Sequence, residues 1–282
     1  MKVLVTGCRG QLGQDVCKRL AALDVEYDGV DIDDFDLTDA AETERCVVRS
    51  RPDAIIHCAA YTAVDKAEEA SDLCFSVNEK GTFNLAKAAA DLGTKIVYLS
   101  TDYVFDGAGS LPHKEEDPTN PLNVYGASKL AGERAILSQT ERCFIVRTSW
   151  VFGIHGRNFV ETMLRLGEQR DSVSVVCDQI GSPTYTVDLA RLLCSMIFTE
   201  KYGIYHAANE GFCSWYDLAC RTMELAGRPC RVLPINSAEY PTKAKRPLNS
   251  RLSKDKLTEN GFERLPPWQD ALERFLKERK DF

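Results

Sequence analysis

The chain has 282 residues, 44% of them hydrophobic, enough for one large domain with a sizeable core and a smaller lobe beside it. With 35 basic and 42 acidic residues the net charge is −7, which offers no broad basic field to nucleic acid or an anionic membrane. No apolar stretch approaches a membrane span, and the 11 cysteines are scattered without a Cys-x-x-Cys pair, so reduced thiols in a cytoplasmic protein are expected, not a disulfide or zinc framework.

Met1 to Thr6 is an apolar run that passes directly into a glycine turn, which reads as a strand and not as a secretory leader. Further strands are predicted over 26–30, 54–58, 95–100 and 143–148, with helices near 11–23, 39–50, 72–92 and 123–140. This alternation predicts an α/β fold, a doubly wound parallel sheet of Rossmann type covered on both faces. Past Trp150 the rhythm loosens. A loop at 153–156, a helix over 159–169, a strand at 173–176 and a turn at 181–184 are followed by a strand over 203–207 and an amphipathic run over 214–226. Residues 242–249, rich in Lys, Arg and Pro, read as a surface loop, and Pro266-Pro267 precede a last helix ending near Lys280. The expected division is a dinucleotide-binding domain over 1–155 and a mainly substrate-binding lobe over 156–282, with the chain recrossing between them.

Gly7, Gly10 and Gly13 fall after the first strand and at the start of the first helix. Glycine is needed where a turn is tight, where backbone approaches a pyrophosphate and where helix packs closely on sheet. The helix N-terminus adds N–H groups and partial positive charge, so the pattern points to a dinucleotide. About 20 residues on, Asp31 at the end of the second strand is placed to bond the adenosine ribose, while its acidic neighbours read as solvated loop. Its charge repels a 2′-phosphate and favours NADH. Arg9, inside the glycine loop, attracts one, so NADH and NADPH both remain open.

Tyr125-Gly-Ala-Ser-Lys129 places a phenol and an ammonium on one helix face. A free tyrosine, with a pKa of about 10, exchanges its proton reluctantly at neutral pH, and a nearby cation is expected to lower that value. Thr101, at the carboxyl end of the fourth strand, would bond and orient a substrate oxygen. Tyr-x-x-x-Lys alone is a common surface pair. Following a glycine fingerprint and a Ser-Thr strand end, it points to carbonyl reduction.

With those segments in place, the chain resembles the dTDP-4-dehydrorhamnose reductase family of extended short-chain dehydrogenases/reductases. The resemblance also runs through Cys58-Ala-Ala-Tyr-Thr-Ala-Val-Asp-Lys-Ala-Glu68, Leu99-Ser-Thr-Asp-Tyr-Val-Phe-Asp-Gly107, Val146-Arg-Thr-Ser-Trp-Val-Phe-Gly153, Asp178-Gln-Ile-Gly-Ser-Pro-Thr184 and, more thinly, Arg246-Pro-Leu-Asn-Ser-Arg-Leu252, which looks like the family's late substrate loop. It implies Tyr125 as proton donor, Lys129 as its electrostatic partner and Thr101 as the hydroxyl that tunes them. Gly10, Gln11 and Leu12 would meet the pyrophosphate. Asp36 and Leu37 would border the adenine, and Ala60, Tyr61 and Thr62 would line the groove. Thr101, Asp102 and Trp150 would contact a nucleotide-sugar, although a tryptophan here is equally readable as core. Related dehydratases carry a second acid after Asp102, where Tyr103 stands here, so net reduction is favoured. A different reading is a non-catalytic NAD(P)-binding regulatory subunit similar to the methionine adenosyltransferase β subunit. Some relatives bind Mg2+ through acids and pair as homodimers. Asp15 would correspond to one such ligand, but it is expected to be an ordinary helix-surface aspartate, so no metal site is assigned and monomer and homodimer both stand.

Overall fold

The structure, a computed structural model, describes residues 1–280. Its centre is a six-stranded, wholly parallel sheet. In chain order the elements are β1 (Lys2–Thr6), α1 (Gln11–Ala22), β2 (Glu26–Val30), α2 (Ala40–Ser50), β3 (Ala54–His57), α3 (Thr82–Asp91), β4 (Lys95–Thr101), α4 (Val124–Leu137), β5 (Cys143–Thr148), α5 (Thr186–Met196) and β6 (Gly203–His206). Across the sheet the order is β6-β5-β4-β3-β1-β2. Every residue of β3, β4 and β5 is buried, which is why these strands read as continuous apolar runs without polar alternation.

Side chains still alternate between faces with the period of two. Val3, Val5, Ile56, Val97 and Val146 pack against α1 and α5, whereas Leu4, Ile55, Ile96, Tyr98 and Ile145 pack against α2, α3 and Ile136 of α4. Both α5 and β6 come from beyond residue 156, so the later chain completes the sheet and covers part of one face. The remainder of it builds two smaller cores, with helices Phe159–Gln169, Trp215–Leu225 and Trp268–Lys280 and the parallel strand pair Ser172–Val176 and Arg231–Ile235.

Two expectations need correction. The helix over 72–92 contains a π-helical turn at Ser76–Gly81 between α-helix Ser71–Phe75 and α3. That wider turn sits where Asn78 reaches inward, giving Nδ2 to Ser128 Oγ (2.9 Å) and accepting the Tyr61 N–H (2.8 Å). The supposed surface loop 242–249 is a strap tied down across the fold. Ala244 and Asn249 are buried, and Lys245 O accepts Asn123 Nδ2 at 2.8 Å.

β2 lies on one side of β1 and β3 on the other. The strand order therefore reverses at β1/β3, and a crevice opens outside their carboxyl ends.

Candidate active site

A cleft of about 940 Å³ runs along that crevice, past the ends of β1, β3, β4 and β5, to the segments around 150, 215 and 246. Gly7, at φ +66°, turns the chain out of β1, and a Cβ there would sit 2.7 Å from Ala59 N. A Cβ on Gly13 would lie 2.1 Å from Gly7 O, so α1 approaches the loop as closely as glycine allows. Gly10 caps α1 without a side-chain hydrogen bond, leaving the first helical N–H groups facing the cleft. The backbone thus forms a cradle of the kind a dinucleotide pyrophosphate needs. Gln11 and Leu12 line it, and the Gln11 side chain latches the later chain by accepting Asn158 Nδ2 at 2.9 Å and donating to Val151 O at 3.3 Å.

Asp31 stands at the end of β2, where its Oδ2 accepts the Arg9 N–H (2.8 Å) and its Oδ1 the Ile32 N–H (2.9 Å). The Arg9 guanidinium is not free to await a phosphate, since it pairs with Asp33 at 2.7 Å and Asp34 at 3.3 Å. All three side chains are well exposed, so these pairs hold weakly. Asp36 accepts both the N–H and the hydroxyl of Thr38, which hold its carboxyl below the ordinary range. Asp36, Leu37, Ala60 and Thr62 line the cleft. Tyr61 is not part of that lining; its amide and carbonyl are tied to Asn78.

At the carboxyl end of β4, Thr101 Oγ1 donates to Asp102 Oδ1 (3.0 Å) and accepts the Tyr103 N–H (3.2 Å). Asn123 caps α4 through the Gly126 N–H (2.8 Å), which places Tyr125 in its first turn, edge-on to Tyr103. Lys129 follows one turn later with its Nζ 4.0 Å from the Tyr98 ring centroid. Burial pushes the Lys129 pKa down to about 7. The expected lowering of Tyr125 does not occur in this pocket. Burial, then the Asp102 carboxylate, raise its pKa, while the Thr101 hydroxyl opposes them. Tyr125 therefore stores its proton at neutral pH. Asp102 is itself pushed up to about 6 by burial, against hydrogen bonds from Ser250 and Thr101.

Trp150 turns out to be both wall and core. Its backbone takes φ +49°, its indole stacks on Trp215 with centroids 3.7 Å apart, and a Cβ at Gly181 would meet it at 2.9 Å. Trp215 and Arg157 also line the cleft and escaped the sequence reading, for neither belongs to a short motif; Asp65, Tyr103 and Arg246 line it too, from segments that carried the resemblance but in which they were given no binding role. Arg246 bonds Asp65 at 2.9 Å, joining the strap to the segment after β3. Asp15 corrects another expectation. It is buried against α5, 3% exposed, and burial raises its carboxyl pKa. Among the described residues no group of three or more His, Cys, Asp or Glu side chains is disposed to hold a metal ion. All 11 cysteines are free.

The family described as RmlD substrate binding domain matches residues 1–280. A dTDP-4-dehydrorhamnose reductase of Sinorhizobium fredii is 42% identical, covering 98% of this chain and 97% of the relative. The chain belongs to the dTDP-4-dehydrorhamnose reductase family. Solved structures of the family agree. One from Clostridium acetobutylicum superposes with a TM-score of 0.97 at 41% identity, over 99% of this chain and 100% of the other. Another, from Bacillus anthracis and in complex with NADP, gives 0.96 at 42% identity over 98% and 99%. The parallel sheet is thus the Rossmann-type sheet of these reductases.

Proposed function

We propose that this protein reduces the C4 keto group of dTDP-4-dehydro-β-L-rhamnose to dTDP-L-rhamnose with NADH or NADPH, a step in nucleotide-sugar and cell-surface polysaccharide biosynthesis. The observation that carries this reading is that Thr101, Tyr125 and Lys129 share one cleft with the glycine cradle. Gly7, Gly10, Gln11, Leu12 and Gly13 would hold the pyrophosphate and Asp31 the ribose. Asp36 and Leu37 border the adenine, and Ala60 and Thr62 the groove beyond it. Lys129 reaches toward the nicotinamide ribose. On the substrate side, Trp150 and Asp102 contact the sugar nucleotide, and Arg157 and Arg246 supply the local positive charge its diphosphate needs in an acidic protein.

The bound nicotinamide supplies the hydride. Thr101 orients the C4 carbonyl, and the Tyr125 phenol, kept protonated by burial, gives its proton to the oxygen as negative charge grows there. The Lys129 ammonium then stabilises the phenolate left behind. Intact proton-transfer groups weigh against a silent regulatory subunit. In this reading residues 1–155 form the cofactor lobe and 156–282 chiefly the substrate lobe, and the protein works in the cytoplasm as a monomer or homodimer. Among the described residues no helix is long and apolar enough to cross a membrane.

A turnover panel of dTDP-, UDP- and GDP-linked 4-keto sugars, each with NADH and NADPH, tests the assignment. The dTDP sugar should give the highest kcat/KM. An equal or higher value for another nucleotide would reassign the substrate.

A further inference from the structure

One buried cluster has no part in the chemistry above. On α4, Glu133 lies one helical turn beyond Lys129, on the same face. It is 2% exposed, and its carboxylate accepts the Ser100 hydroxyl and two donors of Arg147, Nε at 2.9 Å and Nη2 at 2.7 Å. Ser100 directly precedes Thr101 and stands opposite Arg147 in the β4–β5 register. Arg147 also donates to Glu115 O at 3.1 Å and covers the Phe105 ring. An ion pair this deep gives little net stability after its desolvation cost. Its place beside the reactive groups suggests a different use.

The surroundings of Lys129 identify that use. From β4 it meets the face of Tyr98. From β3 and the residue after it come His57, held neutral with its pKa pushed down to about 3, and Cys58, held as a thiol by burial. Cys74, also raised by burial, acts from helix Ser71–Phe75, and Tyr125 stands one turn before Lys129 on α4. Among the described residues acting on Lys129, Glu133 is the one carboxylate, and it is the largest influence opposing burial.

We propose that Glu133 is a positioning residue of the reduction: clamped by Ser100 and Arg147, it keeps the Lys129 ammonium charged beside Tyr125 and fixes Ser100-Thr101 against α4. The proposal takes its significance from the reductase reading, but it can be measured without turnover. The test is an NMR titration of the purified protein carrying isotopically labelled lysine, with the Lys129 signal identified by its loss in Lys129→Met. Glu133→Gln keeps an acceptor for Ser100 and removes the charge. Glu133→Gln combined with Arg147→Met removes the pair together and decides the matter if the single variant fails to fold.

In Glu133→Gln the Lys129 midpoint should move to lower pH by about one unit or more, and in the double variant, where loss of the Arg147 cation offsets part of the effect, in the same direction by less; the alkaline limb of kcat should follow it. A midpoint that stays in place in the folded variant overturns the proposal, whatever happens to activity. Absence of turnover in the unmodified protein would instead count against the reductase reading and leave the midpoint test intact.

Discussion

The two ends of the cleft are built in different ways. At the proposed cofactor end, Gly7 to Gly13 form one contiguous stretch between β1 and α1 that offers backbone N–H groups. At the proposed substrate end, Trp150, Trp215, Arg246 and Asp65 come from four distant parts of the chain and offer side chains. A backbone cradle takes any diphosphate of the right shape. A wall of side chains can tell one sugar nucleotide from another. In the proposed reading generic binding sits on one contiguous stretch of backbone, and selectivity where long-range packing brings separate segments together.

Between the two ends lies Tyr125, and its loss should have the largest effect. Tyr125→Phe is expected to lower kcat by about 10²–10⁴-fold while cofactor affinity, followed by fluorescence titration, stays within about twofold. Retained turnover would remove the proton-donor role and leave the two ends with no chemistry between them.

Gly13→Ala breaks the cofactor end selectively. The added methyl would collide with Gly7 O, so α1 must retreat, lowering stability by about 1–3 kcal/mol and weakening both NADH and NADPH. Isothermal titration and thermal unfolding measure the two effects. Trp215→Ala is the counterpart at the substrate end. It removes the ring stacked on Trp150 and should raise substrate KM by about tenfold with cofactor KM unchanged. Equal changes in both would show that the two ends are one unit.

Asp102 lies at the junction. Its folded pKa of about 6 exceeds the ordinary 3.8, so the folded protein binds more protons than the unfolded chain between those values. Stability is then present at low pH and lost as pH rises through about 6. Asp102→Asn should stabilise the protein by about 3 kcal/mol at pH 7.5 and by only about 0.5 kcal/mol near pH 4, read by urea unfolding at each pH. A gain independent of pH would contradict that origin. The smallest effect is expected at the exposed rim. Asp33→Ser with Asp34→Ser frees Arg9 and should shift the kcat/KM ratio toward NADPH by about threefold, less at high salt.

The glycine cradle at the proposed cofactor end was legible in the sequence because its determinants are local. Gly7, Gly10, Gly13 and Asp31 lie within one β1–α1–β2 unit, and period and spacing fix them. That Thr101, Tyr125 and Lys129 share the cleft was legible for a related reason, since each sits at a strand end or in the first turns of a helix. Trp215 was not, because its role comes from stacking on Trp150, 65 residues away. Residues 242–249 look like any polar loop until Asp65 and Asn123 are seen to hold them. The Tyr125 pKa went the other way because spacing reveals the helical partner Lys129, not the depth of the pocket or the approach of Asp102. Asp15 misled similarly: its helix position suggested solvent, and α5, arriving from residue 186 onward, buries it.

The most direct test follows the absorbance of reduced nicotinamide with the purified protein and dTDP-4-dehydro-β-L-rhamnose. The account predicts that one NADH or NADPH is oxidised for each dTDP-L-rhamnose formed. Tight cofactor binding with no oxidation on adding the sugar nucleotide would contradict it.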